Sequence, residues 1–152
     1  MSARKPRVLA VASGGGHWVQ MMRLWPALEE ADTAFVTVSE AYRPQARGRR
    51  FYVVPDATRW NKLGLIRMSL RVLQVLLRER PDAVISTGAA PGYVALRLGK
   101  WLGARTLWLD SIANVEELSL SGRRIGKHVD VWLTQWPHLA SDNGPTYRGA
   151  VL

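Results

Sequence analysis

Short apolar, β-branched runs alternate with helical periodicities along the 152-residue chain. Arg7-Val8-Leu9-Ala10-Val11-Ala12 reads as a first strand. A glycine-rich turn, Ser13-Gly14-Gly15-Gly16, then opens a helix with Trp18, Met21, Met22, Trp25 and Leu28 on one face. Strands follow at Thr33–Val38 and Phe51–Val54, and a long helix over Lys62–Glu79. Ala83–Ser86 predicts another strand, the small residues Thr87–Gly92 a turn, and Tyr93–Leu102 a helix. The strand Arg105–Leu109 ends at Asp110, and Val129–Leu133 is the last. Strands alternating with helices predict an open α/β domain with a mostly parallel sheet. No repeat, low-complexity tract or linker divides residues 1–152, so they read as one domain. Ligands of such sheets bind outside the carboxyl ends of the strands. Here those ends are the Gly14–His17, Thr87–Gly92 and Asp110–Asn114 segments.

The Lys62–Glu79 pattern carries more apolar surface than one buried face requires. At about 100° per residue, Leu63, Ile66, Leu70, Leu73 and Leu77 form one stripe, and Leu65, Met68, Val72 and Leu76 another. Only Arg67, Arg71, Gln74 and Arg78 make a polar strip. A surface helix usually needs a single apolar face about 100° wide. Two readings fit: a helix buried between two elements, or an amphipathic helix resting on anionic lipid. In the second, Trp60, Arg67, Arg71 and Arg78 meet the headgroups, and the apolar stripes, Leu65, Met68 and Val72 included, supply the salt-resistant part.

Charge sharpens that choice. The net charge is +9, and Arg43–Arg80 holds ten Lys/Arg against Asp56 and Glu79, eight of those nine excess charges. Such a segment predicts a polyanionic partner: nucleic acid, an anionic membrane or a phosphorylated substrate. Nucleic acid is disfavoured, because the segment carries its own long apolar helix and no nucleic-acid motif. The chain has no cysteine, which excludes disulfides, thiolate metal sites and a cysteine nucleophile. The start, Met1–Arg7, is short and basic without an apolar core, so no signal peptide is expected. The longest uncharged run, Val8–Met22, falls short of the roughly 20 apolar residues of a membrane span.

The strand ends carry the candidate chemistry. Ser13, Gly14, Gly15 and Gly16 let the backbone turn tightly and bring N–H groups to an anion at a helix N-terminus. The pattern is neither the dinucleotide G-x-G-x-x-G nor a P-loop, so neither NAD nor ATP is expected. His17 at the mouth can titrate or donate near neutral pH. Thr87, Gly88 and Gly92 form a second small-residue turn that allows close approach of a ligand or of the first turn. Asp110, with Asn114 nearby, can orient a hydroxyl or act as a base, or can cap the next helix. Each turn also reads as plain connection chemistry. Of seven tryptophans most belong to the core; Trp132 and Trp136 are candidates for a protein interface.

Four stretches together resemble the asparagine-linked-glycosylation-fourteen family. They are Ala12–His17, Ser86–Gly92, Trp108–Asn114 and Thr134–Pro137, and they keep the family's motif order over nearly the whole chain. More distantly the chain is similar to the N-terminal half of the lipid II N-acetylglucosaminyltransferase. The resemblance implies a Rossmann-like open sheet, the N-terminal half of a GT-B glycosyltransferase split into two chains. This half would bind a polyprenyl-diphosphate acceptor and a partner subunit the UDP-sugar, with inversion and without metal or other cofactor. Carried over by position, Gly14–His17 would face the acceptor diphosphate with His17 near the reacting hydroxyl. Thr87–Gly92 would line the same cleft, and Asp110 would stand where relatives have a carboxylate or polar group. Eukaryotic members carry an N-terminal membrane helix that this sequence does not show. The expectation is therefore a bacterial-type subunit of polysaccharide assembly, held peripherally on the cytoplasmic face of the plasma membrane. The rival is a non-catalytic scaffold that recruits the donor-binding subunit to the membrane.

Overall fold

The structure is a computed structural model that describes residues 4–58 and 60–151. Met1–Ala3 of the basic start and Arg59 of the basic segment lie outside these residues. Seven strands among the described residues join in one sheet: β1 (Arg7–Ala12), β2 (Asp32–Thr37), β3 (Arg50–Val53), β4 (Ala83–Gly88), β5 (Arg105–Leu109), β6 (Val131–Thr134) and β7 (Thr146–Tyr147). Their order is β3-β2-β1-β4-β5-β6-β7 and every neighbouring pair is parallel. The chain runs outward from β1 in both directions, so the strand order reverses between β1 and β4. That is where doubly wound folds open a crevice for ligands.

Alternation along β1 sorts the core. Leu9 and Val11 point to one face, where they meet Met68, Val72, Val75 and Leu76 of α3 (Lys62–Glu79) and Ala95 and Leu96 of α4 (Ala89–Trp101). Val8, Ala10 and Ala12 point to the other, against Trp18 and Met21 of α1 (Gly16–Arg23) and Leu28 of α2 (Trp25–Leu28). A short α5 (Leu120–Ile125) adds Ile125 to the α3 side. Strands buried on both faces give the continuous apolar runs seen in the sequence.

The differences from the sequence reading have local causes. The first helix breaks at Leu24 because Pro26, without an N–H, starts a new turn. The turn expected at Thr87–Gly92 is instead the end of β4 and the first turn of α4; Pro91 is tolerated there because first-turn N–H groups need no helical partner. The short β7 lies beside Gly144 and Pro145, whose composition reads as loop.

On α3 the two stripes part company. Met68, Val72 and Leu76 are core, with Leu65 packed beside them, which corrects the expectation that this stripe supplies a lipid contact. Leu63, Ile66, Leu70 and Leu77 face outward, each more than half exposed, so α3 is not buried between two elements either. Trp60, just ahead of it, is 81% exposed.

The linear run of positive charge also divides. Arg43 stacks on Phe51, and Arg47 and Arg49 on Trp25, all beside the α1 core, whereas Arg67, Arg71 and Arg78 ride on α3 across the sheet. Arg50 is tied to Glu79 and Asp32. The basic segment is therefore two surfaces rather than one patch. Trp132 and Trp136 also turn inward: Trp132 packs against the α3-side core and Gly126, and Trp136 Nε1 donates to Ile112 O at 2.7 Å.

Candidate functional site

The β1 and β4 carboxyl ends meet at the reversal of strand order. Val11 pairs with Ser86 but Ala12 with Gly88, so Thr87 is an extra residue on β4. Such a bulge re-aims the groups around it. Here it turns Thr87 O toward His17 Nδ1, at 3.0 Å, while Thr87 Oγ1 donates back to His17 O at 2.6 Å. A carbonyl only accepts, so Nδ1 carries the proton, and a neutral ring then keeps its lone pair at Nε2. His17 is half-buried.

Gly88 makes this seat possible. A Cβ there would lie 2.3 Å from His17 Nδ1, and the residue holds φ +144°. Ala89 follows at φ +68°, an uncommon value for a residue with a side chain. Gly92 is equally constrained, since a Cβ would stand 1.8 Å from Ser86 Oγ. Ser86 Oγ in turn accepts from Gly88 N at 3.1 Å.

On the β1 side, Gly15 takes φ +64° as the residue before α1, and no side chain caps that helix. Gly15 N donates to the Tyr42 hydroxyl at 2.8 Å, and the Tyr42 ring stacks on Trp18 at 5.1 Å. Gly14 lies under the same hydroxyl, and Gly15 and Gly16 have open space where a side chain would be. Ser13 and Gly14 are half-buried, whereas Gly15 and Gly16 are exposed. The first-turn N–H groups of α1 and the ring of His17 thus share one mouth at the β1 carboxyl end. That mouth can take an anion and a proton side by side.

Asp110 is placed differently. It is 1% exposed, and its carboxylate accepts from Trp108 Nε1, Asn114 Nδ2, Ser119 N and Ser119 Oγ at 2.6–3.2 Å. Ser119 is the N-cap of α5, its Oγ accepting from Gly122 N. Asp110 therefore organises the 111–119 loop and the start of α5, and Asn114 serves in the same cluster.

Two further residues tie the strand ends together; the sequence singles out neither Gln20 nor Gln135, the latter inside the Thr134–Pro137 stretch, for a role. Gln20 Nε2 donates to Ser111 Oγ at 3.0 Å, and its Oε1 accepts from Ile112 N and Gln135 Nε2. Gln135 Nε2 also reaches Asp110 O, and its Oε1 accepts from Val151 N. A lone glutamine reads as surface, so only a bulk-polar residue on the buried side of α1 would have pointed to this bridge. Trp60, Arg67, Arg71 and Arg78 lie outside the crevice, around α3. Among the described residues no cluster of three His/Cys/Asp/Glu is arranged to hold a metal, and no helix is long and apolar enough to cross a membrane.

Comparison with known proteins agrees with this fold. The curated UDP-N-acetylglucosamine transferase subunit alg14 of Schizosaccharomyces pombe is 27% identical over 177 residues, covering 92% of this chain and 81% of that protein. Among solved structures, MurG of Acinetobacter baumannii superposes with a TM-score of 0.76 at 12% identity, over 93% of this chain and 45% of MurG. UDP-N-acetylglucosamine 2-epimerase of Rickettsia bellii gives 0.70 at 15% identity, over 97% of this chain and 45% of the epimerase. The chain thus spans less than half the length of these two structures, which share its Rossmann-like fold. No protein-family model matches it.

Proposed function

We propose that the chain, similar to a UDP-N-acetylglucosamine transferase subunit and folded like half of MurG, is the acceptor-binding half of a two-part, inverting GT-B enzyme. The acceptor is a polyprenyl-diphosphate-linked sugar, and a second subunit brings the UDP-sugar. The observation that carries this reading is the paired His17–Thr87 contact at the strand-order reversal, beside an uncapped α1. A half-site open on one side suits completion by another chain.

In the proposed reaction the α1 N-terminus and the Gly14–Gly16 backbone hold the acceptor diphosphate. The acceptor hydroxyl attacks the anomeric carbon of the UDP-sugar, the bond from that carbon to UDP breaks, and the hydroxyl proton passes to His17 Nε2. UDP leaves with the pair from the broken bond. Thr87 and Gly88 hold the ring in its tautomer and place, and Gly92 lets α4 start close behind them. Asp110 is a positioning residue that keeps Asn114 and α5 in register rather than the group that takes the proton. The chain sits peripherally at the cytoplasmic face of the membrane, with Trp60 and the outward α3 stripe toward lipid and Arg67, Arg71 and Arg78 at anionic headgroups.

The test is kinetic. His17→Ala in the complex reconstituted with the donor-binding subunit should lower kcat by about 10²–10⁴-fold if His17 is the base. A rise in acceptor KM with little change in kcat would make it a diphosphate ligand instead. Unchanged kinetics with an intact complex would favour the scaffold reading.

A further inference from the structure

We propose that a groove between α3, α4 and α5, opening at its outer end onto the α3 stripe that faces the bilayer, seats the first isoprene units of the acceptor's lipid. This rests on the reading that the acceptor is a polyprenyl diphosphate. Two hollows make the groove. One, of about 310 Å³, lies between Leu65 and Ser69 of α3, Ala90 and Tyr93 of α4, and Leu120 and Arg124 of α5. The other, of about 280 Å³, runs on along α3 past Ile66, Leu70 and Leu73 to Leu98. Leu65 and Ser69 line both, so the two form one track.

The ends of the track decide its occupant. One end lies at Ala90, in the first turn of α4 and two residues past Gly88. The other end merges with exposed Ile66 and Leu70, the surface turned away from the core. From Leu65 to Leu73 is about 12 Å of helix, room for a few isoprene units. Arg124 lines the same hollow as Ala90, exposed and without a carboxylate partner among the described residues, although its neighbour Arg123 pairs with Glu117. An apolar track with a cation at its inner end complements a lipid phosphate, apolar at one end and anionic at the other. It also gives Asp110 a task. By fixing Ser119, the cap of α5, it fixes the wall that carries Leu120 and Arg124.

The experiment uses the purified full chain in membrane-free buffer, titrated calorimetrically with inorganic pyrophosphate, farnesol, and dimethylallyl, geranyl, farnesyl and geranylgeranyl diphosphates. Affinity should rise about tenfold per added isoprene unit, about 1.4 kcal/mol, and level off once the track is full. Ser69→Phe, which fills the junction of the two hollows, should abolish that rise and leave pyrophosphate affinity and vesicle binding unchanged. Leu120→Glu should do the same, and replaces Ser69→Phe if that variant melts early. Leu77→Ser, outside the groove, should weaken vesicle binding only. Farnesyl diphosphate binding no tighter than pyrophosphate would overturn the groove and leave the diphosphate site standing. Farnesol bound in a Ser69-sensitive way, with no pyrophosphate binding, would keep an isoprenoid groove but sink the diphosphate reading. If Ser69→Phe weakens the partner subunit and not farnesyl diphosphate, the groove belongs to a protein and the proposal falls.

Discussion

Gly88→Ala perturbs the site at the point where backbone and chemistry meet. Gly88 holds φ +144° and ψ 176°, a region essentially reserved for glycine. Placing alanine there costs about 1–3 kcal/mol in backbone strain. The new methyl would stand 2.3 Å from Nδ1 and 2.4 Å from Cε1 of His17, so the ring must swing away. That breaks the bond to Thr87 O, worth a further 0.5–1.5 kcal/mol or so. The variant should lose about 2–4 kcal/mol of unfolding free energy. For a chain of this size that is a fall in Tm of roughly 5–15 °C. Urea and thermal melts measure it, and a double-mutant cycle separates its parts. In the His17→Ala background there is no ring to displace, so Gly88→Ala should cost less, by about 1 kcal/mol of coupling. Costs that add within about 0.5 kcal/mol would mean that Gly88 does not shape the seat of His17, and the assignment of the Nε2 lone pair to the crevice would lose its basis.

Other outcomes follow from the same contacts. Asp110→Asn leaves one acceptor oxygen for four donors, so it should destabilise the protein by about 1–3 kcal/mol and lower turnover chiefly through loosening of α5; a melt like the parent's would refute the hub. Leu63→Ser with Leu70→Ser should cut salt-resistant binding to anionic vesicles without shifting Tm by more than a degree or two, whereas Met68→Ala should cost about 2–5 kcal/mol; the reverse pattern would exchange the roles of the two stripes. Lys100 at 2.7 Å, with Thr106 behind it, holds the Asp130 carboxyl below its ordinary range. A depressed carboxylate stabilises the fold above its unfolded-state value and loses that effect as pH falls through the folded one. The Tm gap between parent and Asp130→Ala should therefore be open at pH 7 and close below the ordinary carboxylate range; a pH-independent gap would contradict the ion pair's role.

Much of the architecture was legible because strands buried on both faces announce themselves as apolar runs. β1, β5 and the full extent of α3 match the reading residue for residue. The site's location followed from glycines and small residues at strand ends. Its workings did not. Nothing in the sequence around Thr87 announces a bulge, since bulges depend on register against a strand some seventy residues away. The choice for Asp110 between a base and a support for the next helix stayed open in the sequence because its donors, Asn114 and Ser119, are ordinary loop residues until the loop folds around it. Periodicity showed that α3 has two apolar stripes and could not say which faced the sheet, because both are leucine-rich and nearly equal in length. The bridge between Gln20 and Gln135 was not legible for the opposite reason: their type predicts exposure, whereas they are 4% and 2% exposed and bonded to each other.

The central position of β1 has a consequence for how the chain reaches its fold. Its two partners are β2, which follows closely, and β4, whose Thr87 lies 70 residues beyond His17. At about 5–20 residues per second on the ribosome, some 4–14 s separate the synthesis of these two segments. During that interval one hydrogen-bonding edge of the most apolar strand stays unpaired. An open, flat, apolar edge is a template for joining another chain. Variants that delay β4, by weakening α3 or by straining Gly88, should therefore show their damage first as lost yield during synthesis, before any loss is measurable in the protein that has folded.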